Sequence, residues 1–275
     1  MQEPIKTAFI TGAGSGIGCA LAHALVDKGV AVYITDNNQG RLDVVEEELK
    51  ASGGQVYSFL LDVSDKQAVF DMAAKANDLM GTVDIIFNNA GVSLSDTILK
   101  MNYQDFEWLM NINFWGVVHG TKAFLPYMLE RQSGHIVNIS SLFGLVGIPA
   151  QAAYCAAKHA VKGFNESLYY ELQGTGVQIH SVHPGGVDTG IVLNGLQKNN
   201  TAGAIDVEKM QQRFKGMAVT SAKEAAEIIL HGVDKGKFKI LVGKDARLID
   251  KLSRWVPNYW RATMAKRTKD KHAIL

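Results

Sequence analysis

Two residues whose types could carry out acid–base chemistry, Tyr154 and Lys158, stand four positions apart. On an α-helix this spacing places both side chains on one face, one turn from each other. A nearby ammonium favours the phenolate, so we expect the pKa of Tyr154 to fall from its usual value of about 10 toward neutrality. A tyrosine tuned in this way is a general acid and base. Because the same spacing also occurs on ordinary surface helices, a purely structural role for the pair stays open at this point.

The chain that must position this pair has 275 residues, of which 47% are hydrophobic and 20% charged. This balance is typical of a globular protein, and a net charge of +1 gives no field that would attract nucleic acid. The sequence has no run of about 18 apolar residues and no apolar signal-peptide core at its start, so we expect no membrane-spanning segment. The two cysteines, Cys19 and Cys155, predict a reducing compartment, taken as the cytoplasm. We expect no metal site.

A glycine-rich turn, with Gly12, Gly16 and Gly18, follows the first predicted strand at residues 7–11. An apolar-periodic helix comes next. Strand, glycine turn and helix form the layout of a phosphate cradle, in which glycines allow close approach and the helix N-terminus offers free N–H groups. The spacing G-x-x-x-G-x-G differs from the common G-x-G-x-x-G dinucleotide pattern, so this turn is only part of a nucleotide-binding signature.

An acidic residue, Asp36, ends the second predicted strand 18 residues after Gly18. A carboxylate at this place accepts hydrogen bonds from the adenosine ribose hydroxyls and repels a 2′-phosphate. Neither Asn37 nor Ser15 is basic, and the nearest cation, Arg41, lies on the next helix. We therefore predict NAD rather than NADP as the cofactor. Asp36 could also simply form a turn, which is compatible with the ribose role.

Short apolar segments alternate with helical patterns along the chain, as in parallel sheets that helices cover on both faces. We therefore predict an α/β fold: a three-layer, Rossmann-like, doubly wound parallel sheet of about seven strands. The predicted strands span residues 7–11, 30–35, 56–61, 83–87, 135–140, 177–182 and 238–242. Residues 1–243 form one dinucleotide-binding and catalytic domain in this interpretation.

Small and polar residues end two of these strands, at the sheet edge where ligands bind. Asn88-Asn89-Ala90-Gly91 follows the fourth strand and suits the floor of a cofactor crevice, although it could be an ordinary turn. Ser141 follows the fifth strand.

A long helical stretch at residues 103–131 contains Asn113 and Pro126. A buried asparagine inside a helix needs hydrogen-bond partners, and a proline there predicts a kink.

The last 32 residues, 244–275, form a basic extension with nine Lys or Arg and three Asp or Glu, against a net −5 for the remainder. Leu248, Leu252 and Tyr259 recur at helical spacing, and Pro257 should divide the extension into two helices. Such an amphipathic helix could lie on an anionic membrane surface. We favour the alternative, in which it packs on its own domain or on a neighbouring subunit.

Taken together, these motifs resemble the short-chain dehydrogenase/reductase family, in its shorter, single-domain type. The resemblance covers about residues 5 to 243. The motifs that carry it, in the order of the family, are Thr11-Gly12-x-x-x-Gly16-x-Gly18, Asp62, Asn88-Asn89-Ala90-Gly91, Asn113, Ser141, Tyr154-x-x-x-Lys158, and Pro184-Gly185 with Thr189.

The resemblance implies roles for four catalytic residues. Tyr154 would exchange a proton with the reacting oxygen, and Ser141 would hold that oxygen by a hydrogen bond. Lys158 would bind the nicotinamide ribose and lower the pKa of Tyr154. Asn113 would hold a water that links Lys158 to solvent.

The resemblance also implies a set of cofactor-binding residues. Asp62 would contact the adenine, the backbone near Ile17 and Val187 the phosphates and carboxamide, and Thr189 the amide or phosphate side. His183 is expected to be a core or rim residue without a role. The full set is Gly12, Ser15, Gly16, Ile17, Gly18, Asp36, Asp62, Val63, Asn89, Ala90, Gly91, Tyr154, Lys158, Pro184, Gly185, Val187 and Thr189.

Residues 190–217 are rich in Gly and Asn and weakly patterned, and a long irregular insertion is usually functional. The resemblance implies that this stretch closes over the substrate as a lid. Ile191, Val192 and Leu193, which would face the apolar loop 142–148, favour an apolar substrate, although they could instead pack the lid itself.

The sequence therefore predicts an oxidoreductase that transfers a hydride between NAD and an apolar secondary alcohol or ketone, such as a steroid-, lipid- or cyclic-alcohol-like compound. The alternatives are an NADP-dependent carbonyl reductase, an NAD-sensing binding protein without turnover, and a scaffold recruited to membranes by the basic extension. The resemblance implies a homodimer or homotetramer.

Overall fold

The computed structural model describes residues 4–188 and 220–269. Thr189 and the predicted lid at 190–217 lie outside the described residues. The strands are β1 (Thr7–Thr11), β2 (Ala31–Asp36), β3 (Val56–Leu60), β4 (Ile85–Asn88), β5 (Gly134–Ile139), β6 (Val177–Pro184), β7 (Val187–Asp188), β8 (Thr220–Ser221) and β9 (Lys239–Val242). The helices are α1 (Gly16–Val26), α2 (Gln39–Ala51), α3 (Lys66–Met80), α4 (Tyr103–Met110), α5 (Gly116–Glu130), α6 (Ala152–Glu171), α7 (Ala222–Asp234), α8 (Lys244–Trp255) and α9 (Pro257–Lys269).

Seven of the strands form one sheet in the order β3-β2-β1-β4-β5-β6-β9, and every neighbouring pair is parallel. β7 and β8 form a separate short parallel pair. The predicted seven-stranded Rossmann-like sheet is therefore confirmed, with strand ends shifted by at most two residues. The strand order changes direction between β1 and β4, and a crevice forms at the carboxyl ends of the strands where this happens.

The sheet is apolar on both faces because its strands alternate their side chains between two cores. Along β1, Ala8 and Ile10 join a core with α1 and α7, whereas Phe9 joins the opposite core with α3 and α5. Phe9 stacks on Tyr33 of β2 with ring centroids 5.1 Å apart. Helices therefore cover both faces, which gives the three predicted layers.

One irregular turn divides the long helical stretch into two helices. A π-helical turn at Asn111–Trp115 separates α4 from α5, while Pro126 lies inside α5. π-turns widen the helix locally and are frequent at functional sites. The break therefore falls at the predicted site residue Asn113 and not at the proline.

The C-terminal extension forms two helices, and Pro257 begins the second, as predicted. It is joined to the rest of the chain by polar contacts and by one buried residue. Asp245 accepts a 2.7 Å hydrogen bond from the backbone of Gly186, Asp250 pairs with Lys239 of β9, and Ala246 is fully buried. Trp255 and Tyr259 are exposed, at 83% and 66%, whereas Trp260 is half-buried. No described helix has the length and apolarity needed to cross a membrane.

Candidate active site

The glycine turn after β1 is packed too closely for side chains. Gly12 has a φ of +66°, and a Cβ there would lie 2.8 Å from the Cα of Ala90. A Cβ at Gly18 would collide with the carbonyl oxygen of Gly12. Gly16 has a φ of +57° and opens α1, and Ile17 is buried behind it. This backbone geometry fits a dinucleotide pyrophosphate at the N-terminus of α1.

The segment after β4 is fastened to this turn by hydrogen bonds. The Thr11 hydroxyl accepts from the backbone N–H groups of Asn89 and Ala90, both at 3.0 Å. The Asn89 amide donates to the carbonyls of Thr11 and Gly12 at 2.9 and 3.1 Å. These residues therefore hold the two sides of the crevice together, which an ordinary turn would not do.

Asp36 stands at the end of β2 and is only 6% exposed. Its carboxylate accepts from the backbone of Gly14 and of Asn38, each at 3.0 Å. Arg41, at the start of α2, donates to the same carboxylate at 3.1 Å. Arg41, the nearest cation and on the next helix as expected, is brought back to the strand end by the first turn of α2.

The residues that follow β3 divide between surface and core. Asp62 is exposed, and its carboxylate accepts from the backbone and hydroxyl of Ser64 at 2.9 and 2.7 Å. Val63 is buried, and its carbonyl oxygen accepts from Nδ1 of His119 at 3.2 Å. Ser15 directly precedes α1, and among the described contacts its side chain makes no hydrogen bond that caps the helix.

The predicted catalytic helix exists, since α6 begins at Ala152 and carries Tyr154 and Lys158, both buried. Ser141 follows β5 and accepts a 3.1 Å hydrogen bond from the backbone of Phe143, which fixes the turn after the strand. The Ser141 side chain also lies near enough to Tyr154 to lower the pKa of its phenol. The fold therefore brings together three of the predicted catalytic residues at the carboxyl edge of the sheet.

The predicted fall in the pKa of Tyr154 is wrong for this arrangement. Burial raises the pKa of Tyr154 to about 12, against a smaller lowering by the hydrogen bond with Ser141. Burial also lowers the pKa of Lys158 to about 8. The Lys158 ammonium lies 5.7 Å from the centroid of the Tyr154 ring and donates to the carbonyl of Ile139 at 3.0 Å. Desolvation therefore dominates both groups.

Asn113 is fully buried, and its amide is engaged by one backbone unit. Its Oδ1 accepts from the N–H of Val92 and its Nδ2 donates to the carbonyl of Val92, both at 2.8 Å. A Cβ at Gly91 would lie 3.2 Å from Oδ1 of Asn113 and 3.6 Å from Nζ of Lys158. The Asn113 amide thus holds the segment beside Lys158, and its water-holding role stays a prediction.

The residues at the end of β6 pack against β9 and α8. Pro184 is the last residue of β6, and Gly185 donates its N–H to the carbonyl of Val242 at 2.9 Å. A Cβ at Gly185 would collide with the carboxylate of Asp245, and Val187 is buried.

The surroundings of Tyr154 are apolar. Leu94, Leu109, Ala153 and Ala157 form a buried cluster with it, and the ring of Phe143 meets it edge-on at 6.3 Å. Sequence reasoning missed Leu94 and Leu109, because an apolar residue on a loop or helix carries no signal of what it will face.

One further group, outside this cluster, brings metal-ligating atoms together. Cys19, His23 and Glu48 place one such atom each within 4.8 Å of the others, and Nε2 of His23 lies 3.2 Å from Oε2 of Glu48. The expectation of no metal site is not tested by these contacts and stays a prediction.

Comparison with known proteins agrees with this geometry. A family model described as short chain dehydrogenase matches residues 6–200. The chain is 40% identical over 263 residues to SadH of Mycobacterium tuberculosis, an oxidoreductase by name, and the match covers 94% of each protein.

Two solved structures with the same fold differ in their cofactor. A short chain dehydrogenase/reductase from Burkholderia phymatum in complex with NAD superposes with a TM-score of 0.85 at 29% identity, covering 92% of this chain and 94% of that one. An actinorhodin polyketide ketoreductase with NADPH gives a TM-score of 0.77 at 27% identity, covering 88% and 97%. The chain therefore belongs to the short-chain dehydrogenase/reductase family of NAD(P)-binding oxidoreductases.

Proposed function

We propose that this protein transfers a hydride between NAD and an apolar secondary alcohol or ketone. The observation that carries the proposal is that Tyr154, Ser141 and Lys158 are all buried, with Tyr154 inside an apolar cluster and Ser141 acting on its pKa. A buried phenol beside a serine hydroxyl is suited to exchanging a proton with a substrate oxygen.

The three side chains have different roles in this mechanism. Ser141 orients the substrate oxygen with its hydroxyl, and Tyr154 gives a proton to that oxygen in reduction or takes it in oxidation. Lys158 holds the nicotinamide ribose and supplies positive charge beside Tyr154. When bound, the nicotinamide supplies the hydride chemistry, while the protein supplies position and proton flow.

The preference for NAD rests on Asp36. Its buried carboxylate accepts from the Gly14 backbone at the glycine turn, where it would meet the ribose hydroxyls and repel a 2′-phosphate. The same carboxylate is paired with Arg41, so part of the cation's charge is compensated.

The rival proposal is an NADP-dependent carbonyl reductase, and Arg41 is the observation that favours it. A guanidinium binds a phosphate through paired hydrogen bonds. If Arg41 leaves Asp36 to meet a 2′-phosphate, NADP would bind at least as tightly as NAD.

The apolar substrate is supported by the cluster around Tyr154 and by Phe143 at its edge. We also propose that residues 1–243 act as one catalytic domain, that 190–217 covers the substrate, and that the protein works as a homodimer or homotetramer in the cytoplasm. Tyr103 and Tyr170, exposed at 84% and 74% on α4 and α6, give these helices surfaces for pairing. Light scattering after size-exclusion chromatography would measure the subunit number.

The test is the formation of reduced nicotinamide from a panel of steroids, long-chain hydroxy acids and cyclic alcohols, with NAD and NADP in parallel. Tyr154→Phe serves as the control, and we expect it to lower kcat by about 10²- to 10⁴-fold while NAD still binds. Turnover that survives in this variant would contradict the assignment of Tyr154. Binding of NAD without turnover of any substrate would favour the NAD-sensing alternative.

A further inference from the structure

A chain of hydrogen bonds between buried polar side chains runs beneath the candidate site. The Asn88 amide donates to Asn138 at 2.8 Å, Asn138 donates to Asn165 at 2.7 Å, and Asn165 donates to the Ser181 hydroxyl at 3.0 Å. All four side chains are at most 3% exposed. Buried polar groups that are fully paired in this way fix a single arrangement.

The chain ends on His183, and its partners there decide where the imidazole proton lies. Nδ1 is 3.1 Å from the carbonyl oxygen of Ser141, and Nε2 is 3.0 Å from the Ser181 hydroxyl. A carbonyl can only accept, so Nδ1 must carry the hydrogen. Nε2 then accepts the hydroxyl proton of Ser181, which completes the direction of the chain. Burial lowers the pKa of His183 to about 4, which keeps the ring neutral near pH 7.

This chain joins the catalytic helix to the serine that faces it. Asn165 belongs to α6, the helix of Tyr154 and Lys158, while Ser141 follows β5. The Ser141 carbonyl also accepts from the backbone of Gly144 at 3.0 Å. The carbonyl oxygen of Ser141 thus accepts from both His183 and the turn that follows the strand.

We propose that His183 is a positioning residue: its Nδ1–H fixes the Ser141 backbone, which keeps the Ser141 hydroxyl within reach of the reacting oxygen and of Tyr154. This inference rests on the proposed function, and it gives a role to a residue that was expected to have none. His183 acts through Ser141 and does not itself touch the substrate.

The same strand offers a matched control. His180 of β6 is fully buried, its pKa is also lowered to about 4 by burial, and its Nδ1 lies 2.8 Å from the carbonyl of Lys237. Its Nε2 is 3.0 Å from Nδ1 of His135. No described hydrogen bond connects it with Ser141, so its loss measures the effect of removing a buried histidine alone.

The experiment compares His183→Leu, His183→Asn and His180→Leu in the full-length protein. We expect His183→Leu to lower kcat by about 10- to 100-fold, the range of one lost hydrogen bond in the transition state. The pKa in the profile of kcat against pH should move upward, because the bond from Ser141 that lowers the pKa of Tyr154 is weakened. KM for NAD should stay unchanged.

The asparagine variant keeps an N–H donor near the place of Nδ1, so it should recover much of the lost kcat. His180→Leu should lower the melting temperature as His183→Leu does, with kcat and the pH profile unchanged. Equal kinetic effects of the two leucine variants, or an unchanged pH profile in His183→Leu, would overturn the proposal.

A measurement that needs no turnover separates this inference from the proposed function. Nitrogen-15 NMR of histidine-labelled wild-type protein should show His183 as the neutral Nδ1–H tautomer, identified by its loss in His183→Asn. The Nε2–H tautomer would overturn the proposal. Absence of turnover in the wild type with every substrate would instead count against the proposed function, while the tautomer would still decide whether His183 holds Ser141.

Discussion

Replacing Asp36 with serine should move the cofactor preference from NAD toward NADP. In the wild type, the Asp36 carboxylate accepts from Arg41 at 3.1 Å and from the Gly14 backbone at 3.0 Å. Without the carboxylate, the ribose hydroxyls lose their acceptor, the 2′-phosphate loses its repulsion, and Arg41 loses its anionic partner.

The magnitude follows from the kinds of hydrogen bond exchanged. A hydrogen bond to a charged group contributes about 1.5–3 kcal/mol, and each 1.4 kcal/mol is about tenfold in affinity. The loss of one ribose bond should weaken NAD by about 10- to 150-fold, and one new bond from Arg41 to the phosphate should strengthen NADP by a similar factor. The ratio of the two affinities should therefore change by about 10²- to 10⁴-fold.

Dissociation constants for NAD and NADP, measured by calorimetry for each variant, are the direct assay. Asp36→Asn tests the charge with little change of shape. Asp43→Ser is the matched control, because Asp43 lies on α2, the helix of Arg41, and among the described contacts its carboxylate accepts only a 2.6 Å hydrogen bond from Gln39. This control removes the same charge and should leave both affinities unchanged.

The double variant Asp36→Ser with Arg41→Ala isolates the guanidinium. It should keep the loss for NAD and lose the gain for NADP. If Asp36→Ser leaves both affinities as in the wild type, or weakens both equally, Asp36 is not the discriminator. A preference of the wild type for NADP would favour the carbonyl reductase alternative.

The remaining predictions concern stability. Burial holds the pKa of Lys158 at about 8 against 10.5 in the unfolded chain, so the unfolded state binds more protons between these values. The free energy of unfolding should therefore rise with pH across this range, by up to about 3 kcal/mol. Denaturant titrations of Lys158→Met should show no such rise. If the free energy of unfolding depends on pH equally in the wild type and in Lys158→Met, the prediction is contradicted. Gly18→Ala forces a Cβ against the carbonyl of Gly12 and should lower both the melting temperature and NAD affinity. Gly163 lies in α6 with nothing within 4 Å of an added Cβ, so Gly163→Ala should raise the free energy of unfolding by about 0.5–1 kcal/mol. If Gly18→Ala and Gly163→Ala both stabilise the protein, or both destabilise it, the steric argument is refuted.

The sequence by itself determined the features that repeat or act over short distances. The alternation of apolar segments predicted the seven-stranded parallel sheet, since each strand and helix carries its own period. The four-residue spacing of Tyr154 and Lys158 predicted that both lie one turn apart on a helix, and α6 carries both. These outcomes depend on neighbours within a turn or a strand.

Only the tertiary structure decided what those residues touch and how they titrate. The pKa of Tyr154 rises instead of falling because distant apolar segments exclude water from it, and water exclusion does not show in a spacing of four residues. The Asn113 amide is taken by Val92, 21 residues away, and His183 reaches Ser141 across 42 residues. Arg41 meets Asp36 because α2 turns back at the strand end. Desolvation and hydrogen bonding depend on three-dimensional distance, which chain folding sets between residues that are far apart in sequence.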